Sequence, residues 1–105
     1  MPQEDLPITV VSAEGGTIRL TAERWQHIVE RHPELTDLRD EVLRAVAEPA
    51  RVLDGGAGER LAVRDVEPGK AVVVVYQEGE PDGFIITAFL TRRMNQLNRR
   101  NQRWP

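Results

Sequence analysis

The run Ala71-Val72-Val73-Val74-Val75-Tyr76 constrains the fold more than any other stretch of the chain. Four successive β-branched valines favour extended backbone. Because the run has no polar side to give to water, it predicts a central strand, covered on both faces or at least well inside a sheet. Turn signals bracket it, with Val66-Glu67-Pro68-Gly69 before and Gly79-Glu80-Pro81-Asp82-Gly83 after. Phe84 to Leu90 then reads as a second central strand. On the other side, Leu61 and Val63 alternate with Arg60, Ala62 and Arg64, as in a strand buried on one side, and Ala50 to Leu53 has strand character before the loop Asp54-Gly55-Gly56-Ala57-Gly58.

Helical spacing is confined to the first half of the chain. Trp25, Ile28, Val29 and His32 stand at i, i+3, i+4 and i+7, with Thr21 as a natural N-cap and Leu20 and Trp25 as a hydrophobic staple. Leu35, Leu38, Val42 and Val46 announce a second helix, with Thr36 or Asp37 as cap and Pro49 as terminator. Leu6 to Val11 and Thr17 to Leu20, separated by Glu14-Gly15-Gly16, form a weak hairpin signal. The expected fold class is α+β: two N-terminal amphipathic helices packed on a small antiparallel sheet of about four strands. Residues 1–94 are read as one domain and 95–105 as a basic C-terminal tail, either a short helix or disordered. The expected core joins Trp25, Ile28, Val29, Leu38, Val42, Val73, Val75, Ile86 and Ala88.

At 105 residues with 30% charged and 40% hydrophobic side chains, the composition is that of one water-soluble domain, and no apolar run approaches the roughly 18 residues a membrane span needs. The opening Met1-Pro2-Gln3-Glu4-Asp5 lacks the features of a secretory leader, so a cytoplasmic address is the expectation. Absence of cysteine excludes disulfides, thiolate metal sites and thiol nucleophiles. The net charge of −3 is unevenly spread: up to Asp82 there are nine basic and 17 acidic residues, a balance of −8, while the five arginines beyond it give +5. Such asymmetry points either to an anionic partner for the basic end or to internal compensation of an acidic body.

His27 and His32 are the groups best suited to proton transfer near neutral pH. Five positions apart, they diverge by about 140° on a continuous helix, so only one is expected to face a substrate. Pro33 places His32 at the helix end, where it can meet the sheet; the alternative is a histidine tucked into the core, and for His27 a solvated helix face. Thr87 shares a strand face with Ile85, Phe89 and Thr91, and Tyr76, the only tyrosine, closes the preceding strand and can bring a hydroxyl to the same place. Arg64, beside Arg60 on the alternate face of its strand, can clamp phosphate or simply meet water. No His-Glu-x-x-His motif or other metal-ligand spacing occurs, and the Gly55 to Gly58 loop lacks the Lys-Ser/Thr of a phosphate-binding loop.

The string Arg24-Trp25-Gln26-His27-Ile28-Val29-Glu30-Arg31-His32-Pro33-Glu34, together with Glu48-Pro49, the Val72 to Tyr76 strand and Thr87-Ala88-Phe89-Leu90-Thr91, resembles the phage-linked branch of the barnase/EndoU/colicin/RelE-like nuclease fold. That resemblance implies a metal-independent endoribonuclease without cofactor, acting as the toxin of a toxin–antitoxin or phage-conflict system. It implies RNA as substrate, such as tRNA or ribosome-bound message, and an antitoxin or immunity protein as partner. It also gives roles: His32 as base or acid, with His27, Tyr76 and Thr87 as co-workers, and Arg31, Arg64 or Arg92 holding phosphate. The rival expectation is a non-catalytic binding module of the same fold, docking a protein through its Arg-rich tail.

Overall fold

A computed structural model describes residues 7–105. The opening residues read for leader features, and Leu6 of the first expected strand, lie outside the described residues.

The chain runs β1 (Ile8–Val11), β2 (Thr17–Leu20), α1 (Ala22–Arg31), a 3-10 turn (Pro33–Leu35), α2 (Arg39–Ala47), β3 (Arg51–Asp54), β4 (Arg60–Glu67), β5 (Lys70–Gln77), β6 (Gly83–Thr91), α3 (Met94–Leu97) and β7 (Gln102–Trp104). All seven strands join one sheet in the order β1-β2-β6-β5-β4-β3-β7. This corrects the expected architecture: among the described residues the fold is mostly sheet, seven strands rather than about four, with three short helices. It is also mixed, because β2 pairs parallel to β6 through Ile18 with Gly83 and Arg19 with Phe84. That pairing brings together residues separated by more than half the chain, which local periodicity cannot report.

Local signals act as their chemistry requires. Thr21 Oγ1 accepts from the Arg24 amide at 3.0 Å and caps α1. Helix α2 instead starts after Leu38 without a side-chain cap, because the Thr36 hydroxyl donates back to the Pro33 carbonyl at 2.7 Å. Gly69, with φ +77°, supplies the left-handed position in the Pro68-Gly69 turn between β4 and β5. Gly83 is required for a different reason. A Cβ there would collide with the Gln77 carbonyl and with Ile18, so only glycine lets β6 enter between β2 and β5.

The valine run buries both faces of β5, and this produces two cores instead of the single expected one. On one face Val72, Val74 and Tyr76 pack with Ile18, Leu20, Ala62, Ile85 and Ala88 beneath Ile28, Leu35, Val42 and Val46 of the helical layer. On the other, Val73 and Val75 pack with Leu53, Leu61, Val63 and Phe89 beneath Met94 and Leu97 of α3. The stretch 95–105 thus contributes Leu97 to a core and β7 to the sheet edge, where Trp104 pairs with Val52 and Gln102 with Leu53. A bulge between Val75 and Tyr76 pairs Val75 with Thr87 but Tyr76 with Ile85, leaving Ile86 as the extra residue. Strict alternation would put Ile85 and Thr87 on one face; the bulge sends Ile85 to the helix side and Thr87 to the opposite side.

No helix among the described residues is long and apolar enough to cross a membrane.

Candidate functional site

Strand β2 touches β6 only at Gly83 and Phe84, then its chain turns into α1. The rest of that β6 edge is flanked by α1, and the seam between them forms a solvent-open cleft of about 590 Å³ lined by Arg24, His27, Ile28, Arg31, His32, Ile86 and Thr87. Both histidines, two arginines and a threonine therefore meet in one place. Two other surface hollows, one beside Trp25 and Asp37 and one around Arg92 to Gln96, carry no histidine.

The expected divergence of the two histidines does not separate them. His32 is the C-cap of α1, with φ −132° and ψ 72°, so Pro33 has taken it off the helical path on which the 140° angle was reckoned. Its ring sits 6.2 Å from that of Phe89, tilted by 39°, on the sheet side away from the large helical core. His32 is about one-third exposed and its Nδ1 faces Glu34 Oε2 at 3.7 Å. His27, one helical step from Arg24 and Arg31, is far more open, and its Nδ1 faces Glu30 Oε1 at 4.0 Å. Both contacts are longer than a hydrogen bond, so neither ring nitrogen of either imidazole is held by its carboxylate.

The other candidates divide cleanly. Thr87 lines the cleft, placed there by the bulge, and Arg31 lines it from the helix. Tyr76 does not: it is fully buried on the helix-covered face, in the large core. Its hydroxyl is sealed from solvent and makes no hydrogen bond among the described residues, while the nearby Ser12 hydroxyl donates to Glu78 at 2.7 Å. Burial first, then the Glu78 and Glu14 carboxylates, push the phenol up to about 12. Arg64 donates to the Glu48 carbonyl at the end of α2, at 2.6 Å, and so caps that helix. Arg92 pairs with Glu67 at 2.9 Å on the surface, away from the cleft. Arg24 is the one polar cleft residue absent from the expected set, beside the apolar Ile28 and Ile86; it stands at i, i+3 and i+7 with His27 and Arg31, a polar stripe beside the apolar one.

Among the described residues no group of three or more His, Asp or Glu side chains is placed to hold a metal ion. Comparison of the chain with family models, curated proteins and solved structures finds no match.

Proposed function

We propose that this protein cleaves RNA without a metal ion, at the α1–β6 cleft. The observation that carries this reading is the convergence of His27 and His32 with Arg24 and Arg31 on one open cleft. Cleavage by this route needs a base for the ribose 2′-hydroxyl proton, an acid for the departing 5′-oxygen, and cations for the charge on phosphorus. One imidazole takes the proton as the 2′-oxygen attacks phosphorus. The other gives a proton to the 5′-oxygen as its bond to phosphorus breaks, leaving a 2′,3′-cyclic phosphate and a 5′-hydroxyl. The Arg24 and Arg31 guanidiniums neutralise the non-bridging oxygens, and the Thr87 hydroxyl is available to donate to one of them. Further support comes from where the nuclease-like helix string falls, since Arg24 to His32 supplies the whole helical wall of the cleft.

Docking through the Arg-rich C-terminus has less support, because Arg100 and Arg103 are held within the chain: Arg100 donates to the carbonyls of Asp54 and Gly55, and Arg103 to the Asp54 carboxylate. The deciding experiment incubates the purified protein with total RNA in EDTA. Discrete fragments ending in 2′,3′-cyclic phosphate are expected; intact RNA, or fragments that appear only when divalent ions are supplied, would overturn the reading.

A further inference from the structure

The sheet face that leads into the cleft is open where the rest of the sheet is covered. Arg19 and Phe84 pair across β2 and β6, and their neighbours Ile18, Leu20 and Ile85 all point into the helix-side core. By alternation Arg19 and Phe84 therefore lie on the opposite face, the one that carries Thr87 and Phe89 further along β6. Helix α3 covers that face over β3 to β5, through Met94 and Leu97, and does not reach its β2 end. Phe84 is 51% exposed, the one exposed Phe, Tyr or Trp among the described residues. The bulge sets Phe84 and Thr87 opposite Gln77 and Val75, two residues apart on β5, so at roughly 3.3 Å per residue they stand about 7 Å apart along the sheet, the span of about one nucleotide. Arg19 beside it, and Arg24 and Arg31 along the cleft, form no salt bridge among the described residues.

We infer that Phe84 is a base-stacking platform next to the cleft, so that the ligand is a single-stranded nucleic acid whose base lies on the Phe84 ring while its phosphates run past Arg19, Arg24 and Arg31. An exposed apolar ring with one arginine paired beside it and two more along the neighbouring cleft suits a strand that is flat and greasy on its bases and anionic on its backbone. A duplex would keep its bases stacked away from the ring. A protein segment covering Phe84 would have to leave these arginines unpaired or supply carboxylates for each. The inference rests on the proposed cleft, and adds what kind of strand enters it and from which side.

The test uses the full chain and a short 2′-O-methyl oligoribonucleotide, which cannot supply the attacking hydroxyl, with binding followed by fluorescence anisotropy. Phe84→Ala is expected to weaken binding about tenfold, within the range for loss of one base stack, and Phe84→Trp to restore it. Phe84→Leu, apolar but unable to stack, should behave like alanine. Dependence of affinity on salt should be unchanged in all three, because no phosphate contact is removed. Equal affinity of Phe84→Ala and the parent overturns the platform while leaving the cleft reading standing. Absence of binding by the parent at low salt overturns the platform whatever the cleavage assay returns. Conversion of a self-associated parent to monomer by Phe84→Ala, seen by sedimentation, would assign the ring to contact between copies of this chain and also overturn it. Binding that depends on Phe84 in a protein that does not cleave RNA would uphold the platform and sink the catalytic reading alone.

Discussion

Arginines at two ends of the molecule behave differently. Around the β3–β4 loop, Arg60, Arg100 and Arg103 are all engaged: Arg60 with Glu14 at 3.0 Å and with the Gly58 carbonyl, Arg103 with both Glu14 and Asp54, Arg100 with the carbonyls of Asp54 and Gly55. These contacts tie the β1–β2 turn, the β3–β4 loop and the C-terminal strand together. At the α1–β6 cleft, Arg24 and Arg31 line an open surface and pair with no carboxylate among the described residues, while the acids nearby, Glu30 and Glu34, face the histidines. A cation held by its own chain stabilises a fold; one left unpaired beside two imidazoles is available to a ligand. The chain's charge asymmetry therefore has two separate meanings. Part of the basic C-terminus compensates an acidic body, and the proposed anion-binding surface lies on the helix, away from the cluster of arginines that composition makes conspicuous.

The largest effect that can break this contrast is at His32. His32→Ala should reduce RNA cleavage by ~10²- to 10⁴-fold, the usual worth of a general acid or base, and His27→Ala by an equal or smaller factor. Thermal melting should stay close to that of the parent for both, because His27 is exposed and the hydrogen bonds of His32 are made by its backbone, which alanine keeps. A His32→Ala protein that melts far lower, with cleavage per folded molecule intact, would make His32 a structural residue.

Tyr76 gives the next largest effect, on stability alone. Its sealed hydroxyl has no partner, so Tyr76→Phe should stabilise the fold by ~1 kcal/mol and leave cleavage untouched. The pH dependence follows from the same burial. Below pH 10.0 the phenol is neutral whether the chain is folded or not; above it the unfolded chain ionises while the folded one holds its proton to about pH 12, so stability falls as pH rises through this window. Tyr76→Phe should flatten that alkaline limb in a denaturant titration. Phenolate absorbance appearing near pH 10 with the fold intact would show that the ring is reached by water.

Smallest of all should be Arg92→Gln. The pair with Glu67 is exposed on both sides, so its loss should change stability by less than ~1 kcal/mol and cleavage not at all.

The sequence is readable here where neighbours in the chain decide the outcome. Thr21 caps α1, Val72 to Tyr76 form an interior strand, and the hairpin of β1 and β2 forms around Gly15-Gly16 because each is a local choice of backbone. What escapes is decided at a distance. Gln102-Arg103-Trp104 has little strand character of its own and becomes β7 only because β3 offers an open edge. The parallel contact of β2 with β6 depends on the absent side chain of Gly83, a residue whose local reading is a turn. The cleft was half legible. His27 and His32 stand out as the only imidazoles, but hydrophobic periodicity reports the buried stripe of α1, and Arg24 belongs to the polar one. Thr87 reaches the cleft through a bulge at Ile86 that no alternation pattern announces. Tyr76 illustrates the converse: a hydroxyl at the end of a central strand suggests chemistry, yet the aromatic ring's apolar area takes it into the core.

The contrast between the two ends is tested most directly by removing the same charge from each. Arg24→Gln with Arg31→Gln and Arg100→Gln with Arg103→Gln each take away two positive charges, and both proteins are compared for RNA cleavage in EDTA and for melting temperature. The cleft pair should lose at least tenfold in kcat/KM with melting unchanged. The C-terminal pair should keep its cleavage and lose ~1 to 2 kcal/mol of stability, with each kcal/mol worth about 4 to 8 °C in a domain near this size. Equal losses of cleavage in the two proteins would show that only net charge matters to RNA, and a cleft pair that melts early while its folded fraction cleaves normally would contradict the division outright.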